Sequence, residues 1–141
     1  MTRLLPALFF LTSAAHACDG LSVSGSWVRE PPPGSTTLAA FMTLTNPGSK
    51  PMVITAWRAP DFDTTMLHET VVEGGIARMV MREKLEVPAE GSVALKPGGL
   101  HLMLVKPSAP VTAGSRVRLV LSCADGELSF QSPVRRADET P

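Results

Sequence analysis

The chain has 141 residues, 44% of them hydrophobic and 18% charged, and its 13 Lys and Arg residues balance its 13 Asp and Glu residues. Because the chain has no net charge and no basic stripe, it lacks the electrostatic footprint of a nucleic-acid-binding protein. Its length is sufficient for one domain with a hydrophobic core.

The N-terminus has the features of a secretory signal peptide. Arg3 precedes an apolar run, Leu4–Leu11, and the small residues ending at Ala17 fit a cleavage site. We therefore predict a leader over residues 1–17 and an exported, periplasmic chain that begins at Cys18. The apolar run is shorter than the roughly 18 residues of a membrane span, so no permanent anchor is expected. A lipid on Cys18 is the alternative, and it is disfavoured because the leucine usual in lipoprotein signals is missing.

Short apolar runs separated by Pro- and Gly-rich turn signals follow one another along the rest of the chain. Runs at this spacing, with no amphipathic helix between them, predict an all-β Greek-key sandwich or barrel. We expect one domain, residues 18–134, and a flexible C-terminal tail, residues 135–141. In chain order the predicted strands are Leu21–Val28, Leu38–Thr45, Met52–Trp57, Met66–Val72, Ile76–Met81, Ser92–Leu95, Leu100–Val105, Arg116–Cys123 and Leu128–Gln131.

The chain contains two cysteines, Cys18 and Cys123. Two cysteines in a small exported domain usually pair in an oxidising compartment. This bond would close a loop of 105 residues, which the chain-entropy model values at ~4–5 kcal/mol. A redox or metal-binding thiol pair is the alternative. It is disfavoured because, once the leader is removed, neither cysteine has a Cys-x-x-Cys partner or a nearby histidine.

Two histidines remain after removal of the leader, and a methionine lies two residues from each. The pairs are Met66 with His68 and His101 with Met103, and Met79 lies between them in the sequence. Imidazole nitrogens and thioether sulfurs form a soft donor set, which suits Cu(I) better than Mg²⁺, Ca²⁺ or Mn²⁺. The pattern therefore indicates a soft-metal site.

A hairpin at residues 73–75 (Glu-Gly-Gly) would bring part of this donor set together. With Glu-Gly as the two-residue turn, His68 lies opposite Met79; with Gly-Gly as the turn, it lies opposite Met81. Because side chains alternate along a strand, both registers place His68, Met79 and Met81 on one face of the sheet.

Ordinary packing is the competing interpretation of these methionines, since methionine is a common gap-filler in cores. We predict this role for Met42, Met52 and Met66. His101 and Met103, by contrast, share one face of their strand because they are two residues apart. From residue chemistry alone, a soft-metal site and ordinary packing both remain open.

The spacing of these residues resembles the signature of the PCu(A)C-type periplasmic copper chaperones. His68 is followed by ten residues and then Met79, which is followed by twenty-one residues and then His101 and Met103. Also similar are two blocks of sequence, SWVREPPPG with LAAFMTL near the start and LKPGGLHLML around His101. The likeness extends from about residue 21 to residue 133.

The resemblance implies a cupredoxin-like β-barrel that binds one Cu(I) per chain. The implied ligands are His68, Met79, His101 and Met103. It also implies delivery of copper to the CuA centre of cytochrome oxidase, often alongside a Sco-type thiol protein. We expect a monomer without enzymatic activity. Many relatives have a further methionine where this chain has Thr70, so Met81 becomes the candidate auxiliary ligand.

Three other functions compete with copper delivery: copper storage or tolerance, an interaction module that transfers no metal, and blue-copper electron transfer. A blue-copper centre needs a cysteine thiolate beside two histidines, and no histidine follows Cys123. An enzyme is disfavoured, because the sequence has no supported serine-histidine-acid set, phosphate-binding glycine loop or pair of carboxylates in an apolar setting.

Overall fold

The computed structural model describes residues 17–139, so the predicted leader up to residue 16 lies outside the described residues. A short 3-10 helix, Ala17–Gly20, precedes ten strands. The strands are β1 (Ser22–Arg29), β2 (Thr37–Asn46), β3 (Met52–Arg58), β4 (Phe62–Glu73), β5 (Ile76–Arg82), β6 (Leu85–Val87), β7 (Gly91–Leu95), β8 (Leu100–Pro107), β9 (Arg116–Cys123) and β10 (Gly126–Arg135). In this range, no helix has the length and hydropathy needed to span a membrane.

The strands form one open hydrogen-bonded sheet with the strand order β5-β4-β8-β2-β1-β10-β9-β3-β6, and β7 pairs with β2. A parallel pairing of β1 with β10 joins the two halves, and the other neighbours are antiparallel. Side chains from both halves enter one core, including Leu44 and Leu104 from the first half and Ile54 and Leu121 from the second. The two halves therefore pack as a β-sandwich, and the prediction of an all-β fold is confirmed.

Three local features differ from the sequence-based expectation. Strand β6 was not predicted, because three residues are too few to display an alternating pattern. Gly126 pairs with Cys123, so the last strand begins two residues before the predicted start at Leu128. Arg135 belongs to β10 rather than to a loose tail, because it pairs with Arg29 and its carbonyl accepts a hydrogen bond of 2.8 Å from the Glu30 N–H.

A disulfide joins Cys18 to Cys123, with 5.7 Å between the two Cα atoms. Cys18 is fully buried and belongs to the core cluster. The predicted pairing is therefore confirmed. It fastens the start of the described chain to the end of β9, in the half of the sandwich that contains neither histidine.

Candidate metal centre

Strands β4 and β8 pair so that like donors face each other. His68 is directly opposite His101, and Met66 is directly opposite Met103. The two imidazole rings meet edge to face, with 5.9 Å between their centroids. Two segments that are 33 residues apart in the sequence therefore bring both histidines into one place, because antiparallel pairing puts opposite side chains about 5 Å apart at Cβ.

Strand β5 lies on the other side of β4 and supplies two further thioethers. Glu73 pairs with Ile76, so Gly74 and Gly75 form the turn of this hairpin. The resulting register places Met81 directly opposite His68 and Met79 opposite Thr70. Met79 is thus a diagonal neighbour of His68, about 7–8 Å away between Cα atoms in such pairs, and Met81 is the direct one.

All six of these donor side chains belong to one surface of the sheet, which we call the donor face. The alternate residues of β4 and β8, among them Leu67, Leu102 and Leu104, are buried in the core between the two halves of the sandwich. The donor face is therefore the outer surface of this half. Its donors are Met66, His68, Met79, Met81, His101 and Met103.

The hydrogen bonds of His101 leave one of its ring nitrogens free to bind a metal. Its Nδ1 lies 3.1 Å from the carbonyl oxygen of Gly99, which can only accept, so Nδ1 carries the proton of the neutral ring. The same carbonyl accepts a hydrogen bond of 3.1 Å from the Thr70 N–H of β4. Nε2 of His101 then has the lone pair, an arrangement common in metal-binding histidines.

His68 differs from His101 in both hydrogen bonding and titration. Its Nδ1 is buried and has no hydrogen-bond partner among the described residues. Burial lowers the pKa of His68 below its ordinary value of 6.5, and the charge of a protonated His101 lowers the pKa further. A ring that stays neutral at mildly acidic pH has less proton competition for metal.

The charged residues of the β4–β5 hairpin lie on the reverse of the donor face. Arg82 pairs with Glu69 at 2.7 Å and Arg78 with Glu73 at 3.2 Å, and all four residues alternate with the donors. Within the described β4, β5 and β8, no charged side chain shares the donor face. The candidate ligands are therefore uncharged, which suits a soft monovalent cation better than a hard divalent one.

Met66 is a donor-face residue that the sequence analysis assigned to the core. Met42 is only 2% exposed and Met52 packs against the core cluster, as predicted. Met66 is half-buried, but it is not among the residues that pack against that cluster. The signal was present in the sequence, since Met66 is two residues before His68 and must share its face in a strand.

Two aromatic rings with an arginine side chain over them border the donor face on the β2 side. Ala39 pairs with Met103, and Phe41 follows two residues later on the same face. The Trp27 and Phe41 ring centroids are 4.8 Å apart, and the guanidinium of Arg29 lies 5.3 Å from the Phe41 centroid. Both rings are buried but lie outside the main core cluster. They form a buried aromatic border beside the donors.

The cysteines are not a second metal site. Among the described residues, one group of three potential ligands lies close together. It consists of Cys18, Cys123 and Asp125, whose ligand atoms are all within 4.8 Å of one another. Both sulfurs of this group are bonded to each other, so neither is a thiolate. For the same reason the chain cannot supply the cysteine ligand of a blue-copper centre.

Comparison with protein families gives a match over residues 21–134 to the family described as "Putative lipoprotein LpqE-like". The chain is also 34% identical over 112 residues to a protein of Leifsonia xyli subsp. xyli (strain CTCB07) named "Putative lipoprotein Lxx21020". That match covers 79% of this chain and 66% of the relative, slightly less than two thirds of its length.

Solved structures of copper-related domains have the same fold. Apo-DR1885 from Deinococcus radiodurans is 31% identical, with a TM-score of 0.66 and coverage of 100% of this chain and 97% of its own. The structure titled CuI-DR1885 is 30% identical, with a TM-score of 0.65 and coverage of 89% and 83%. The copper-bound PCuAC domain from PmoF2 is 21% identical, with a TM-score of 0.71 and coverage of 86% and 97%. The cupredoxin-like β-sandwich is thereby confirmed.

Proposed function

Because the chain belongs to the family described as LpqE-like, whose model matches residues 21–134, and has the fold of PCuAC domains, we propose that it binds one Cu(I) on the donor face and passes the ion to another protein. The proposed ligands are His68, Met79, His101 and Met103. The chain is proposed to act as a binding and transfer protein, not as an enzyme.

The observation that carries this proposal is the pairing of His68 with His101 among uncharged thioethers. Nδ1 of His68 is buried without a partner, and Nε2 of His101 keeps its lone pair, so each ring has a nitrogen that a metal can use. Soft sulfur donors flank both rings and select Cu(I) over the hard cations. The structure titled CuI-DR1885, which is 30% identical, supports Cu(I) as the ion.

Release of the ion follows from the same chemistry. Two imidazoles and two thioethers carry no negative charge, so the site holds Cu(I) without an anionic ligand. An acceptor with cysteine thiolates offers softer, charged donors, and transfer to it is downhill. The proposed acceptors are the CuA-bearing subunit of cytochrome oxidase and a Sco-type thiol protein that acts with it, and the chain is proposed to work as a monomer.

We place the protein in the periplasm. The matching family and the Leifsonia relative bear lipoprotein names, which supports export to the cell envelope, and the Cys18–Cys123 bond is the kind of bond that persists in an oxidising compartment. A lipid thioether and a disulfide compete for the same sulfur of Cys18. We therefore expect the intact mass of the exported chain to show the disulfide and no lipid.

The decisive experiment is competition for Cu(I) against a calibrated chelator, with the chain from Cys18 onward. Wild type should bind one equivalent, and His68→Gln, His101→Gln, Met79→Leu and Met103→Leu should each weaken binding by about 10–100-fold. The matched control is Met52→Leu, which removes a sulfur from the other half of the sandwich. Unchanged affinity in both histidine variants, with folding intact by circular dichroism, would sink the proposal.

Transfer is tested separately, because storage and delivery predict the same affinity. The Cu(I)-loaded chain is mixed with a reduced CuA domain or a reduced Sco-type protein, and the copper content of each is measured after separation. Delivery predicts loss of copper to the reduced acceptor and none to the same acceptor with its cysteines oxidised. Retention by the chain in both cases would favour storage or tolerance.

A further inference from the structure

The donor face has more sulfur than the proposed ligand set uses. Met66 and Met81 are not in that set, yet each is the direct cross-strand partner of a member: Met66 faces Met103 on β8, and Met81 faces His68 on β5. By register Met81 is closer to His68 than Met79 is, because Met79 is opposite Thr70. Four thioethers therefore lie around one histidine pair.

These four methionines divide into two pairs by position and exposure. Met66 and Met103 are half-buried on two inner strands, and Ala39 is beside Met103. Met79 and Met81 lie on β5, the last strand of the order, and are 59% and 58% exposed. The two pairs lie in different directions from the histidines: Met66 and Met103 lie two residues along β4 and β8, and Met79 and Met81 lie across on the edge strand β5.

The exposed pair is unusual for large apolar side chains. Leaving a methionine in water forgoes about 1.5–3 kcal/mol of burial energy. Neither Met79 nor Met81 packs against the core cluster, whereas Met42 belongs to it and Met52 packs against it. Val72 of the same hairpin is also 69% exposed and lies on the donor face. The edge of the donor face is therefore apolar, uncharged and open to an approaching protein.

We infer that the His68–His101 pair serves two Cu(I) positions, an inner one completed by Met66 and Met103 and an outer one completed by Met79 and Met81. A single ion moves between them by thioether exchange: one Cu–S bond forms as another breaks, and the ion remains monovalent. This inference rests on the proposed function. It adds Met66 and Met81 to the ligands and gives the ion a direction of movement during transfer, from the inner to the outer position.

The physical reason for two positions is access. His101 is only 5% exposed, and the inner methionines are half-buried, so an ion at the inner position is shielded from a protein acceptor. At the outer position the ion lies at the free edge of the sheet, where the thiolates of an acceptor can reach it. The inner position therefore retains the ion, and the outer position makes it accessible to the acceptor protein.

The test uses the methionine methyl groups as separate reporters. The chain from Cys18 onward is labelled with ¹³C at the methionine ε-methyls and titrated with one equivalent of Cu(I), and with Ag(I) as a redox-inert probe. We expect the resonances of Met66, Met79, Met81 and Met103 to shift. Met42 and Met52, in the core and in the other half of the sandwich, should not shift and are internal controls.

The outcomes of this titration distinguish the two-position inference from the proposed function. Shifts at Met79 and Met103 with Met66 and Met81 unmoved would overturn the two-position inference and leave the proposed function standing. No shift at any donor-face methionine would overturn both. Shifts at all four, fast on the chemical-shift timescale, would support exchange of one ion between the pairs.

Two leucine variants test the direction of movement. Met66→Leu should weaken Cu(I) binding by about tenfold, and Met81→Leu should weaken it less, because the outer position holds the ion only in transit. In transfer to a reduced dithiol acceptor, Met81→Leu should be several-fold slower than wild type. Equal transfer rates for Met81→Leu and Met52→Leu, or Met66→Leu affinity equal to that of the control, would contradict the inner and outer assignment.

Discussion

His68 and His101 face each other across β4 and β8, yet their ring nitrogens have different partners. The carbonyl of Gly99 fixes the proton of His101 on Nδ1, and the same carbonyl accepts from the backbone of β4 at Thr70. The orientation of His101 is therefore tied to the pairing of the two strands. His68 has no such bond at its buried Nδ1, so no carbonyl fixes the proton of its neutral ring on that nitrogen.

The first prediction concerns the titration of His68 without copper. Burial, and then the neighbouring His101, lowers the pKa of His68. At acidic pH the unfolded chain protonates His68 more readily than the folded chain does. The neutral ring of His68 therefore contributes fully to the free energy of unfolding above pH 6.5. This contribution is lost as the pH falls from 6.5 through the lower pKa of the folded state. NMR titration of the apo chain should give a pKa below 6.5.

A variant separates the two causes of this shift. His101→Gln removes the neighbouring positive charge but keeps a side chain of similar bulk, so the pKa of His68 should rise and still remain below 6.5, because burial is the larger cause. A wild-type pKa above 6.5 would contradict the environment described for this ring.

At the scale of elements, the β4–β5 hairpin decides which methionines share the donor face. Gly74 and Gly75 have φ values of 58° and 80°, the left-handed conformations of a two-residue hairpin turn. This turn sets the register that places Met81 opposite His68. A slip of one residue would move Met79 and Met81 to the reverse face, where the charged pairs lie.

The second prediction tests this turn. In the double variant Gly74→Ala, Gly75→Ala, no atom lies within 4 Å of either added Cβ, so the whole cost comes from the backbone. A left-handed non-glycine residue costs about 1–2 kcal/mol, and the hairpin should become less stable. Hydrogen exchange of the β5 amides should accelerate. Gly99→Ala, whose added Cβ meets only ordinary contacts, is the control and should leave exchange unchanged.

The third prediction concerns Asn46, the last residue of β2. Its buried amide donates to the carbonyls of Lys50, Val87 and Pro88 at 2.8, 3.2 and 3.2 Å, and its oxygen accepts from the backbone N–H two residues later. This side chain fastens the end of β2 to the short strand β6. Asn46→Ala leaves buried carbonyls unpaired and should lower the free energy of unfolding by about 1–3 kcal/mol. Urea denaturation measures the loss, and a change below the error of the method would refute the role.

At the scale of the whole molecule, the two halves of the sandwich have separate tasks. The half with β4, β5 and β8 holds the donor face, and the half with β3 and β9 holds the disulfide. Their shared core and the β1–β10 pairing make one folding unit. We therefore expect the loss of a constraint in one half to leave the donor face of the other half unchanged while the chain stays folded.

The fourth prediction follows from this separation. The double variant Cys18→Ser, Cys123→Ser opens a loop with a sequence separation of 105 and should lower the free energy of unfolding by about 2–5 kcal/mol. Because the donor face lies in the other half, Cu(I) affinity at 15 °C should equal that of wild type while the chain stays folded. Thermal denaturation and chelator competition measure the two quantities. A large loss of affinity in the folded variant would show that the halves are coupled.

The amino-acid sequence alone determined all strands but β6, the presence of a turn between β4 and β5, and the chemical type of the donors. These depend on local rules, since alternation, glycine conformations and the softness of a thioether act within a few residues. Applied to Met66, the same alternation would have placed it beside His68. The short strand β6 could not be predicted, because three residues are too few to show an alternating pattern.

Only the tertiary structure decided that β4 pairs with β8, and so that His68 faces His101 and Met66 faces Met103. Three strands separate them along the chain. Their adjacency results from burying both in one core and satisfying their backbone hydrogen bonds together, a condition on the whole fold that no single segment expresses. The choice of Met81 over Met79 as the direct neighbour of His68 was likewise left open by the Glu-Gly-Gly sequence and was decided by the pairing of the complete hairpin.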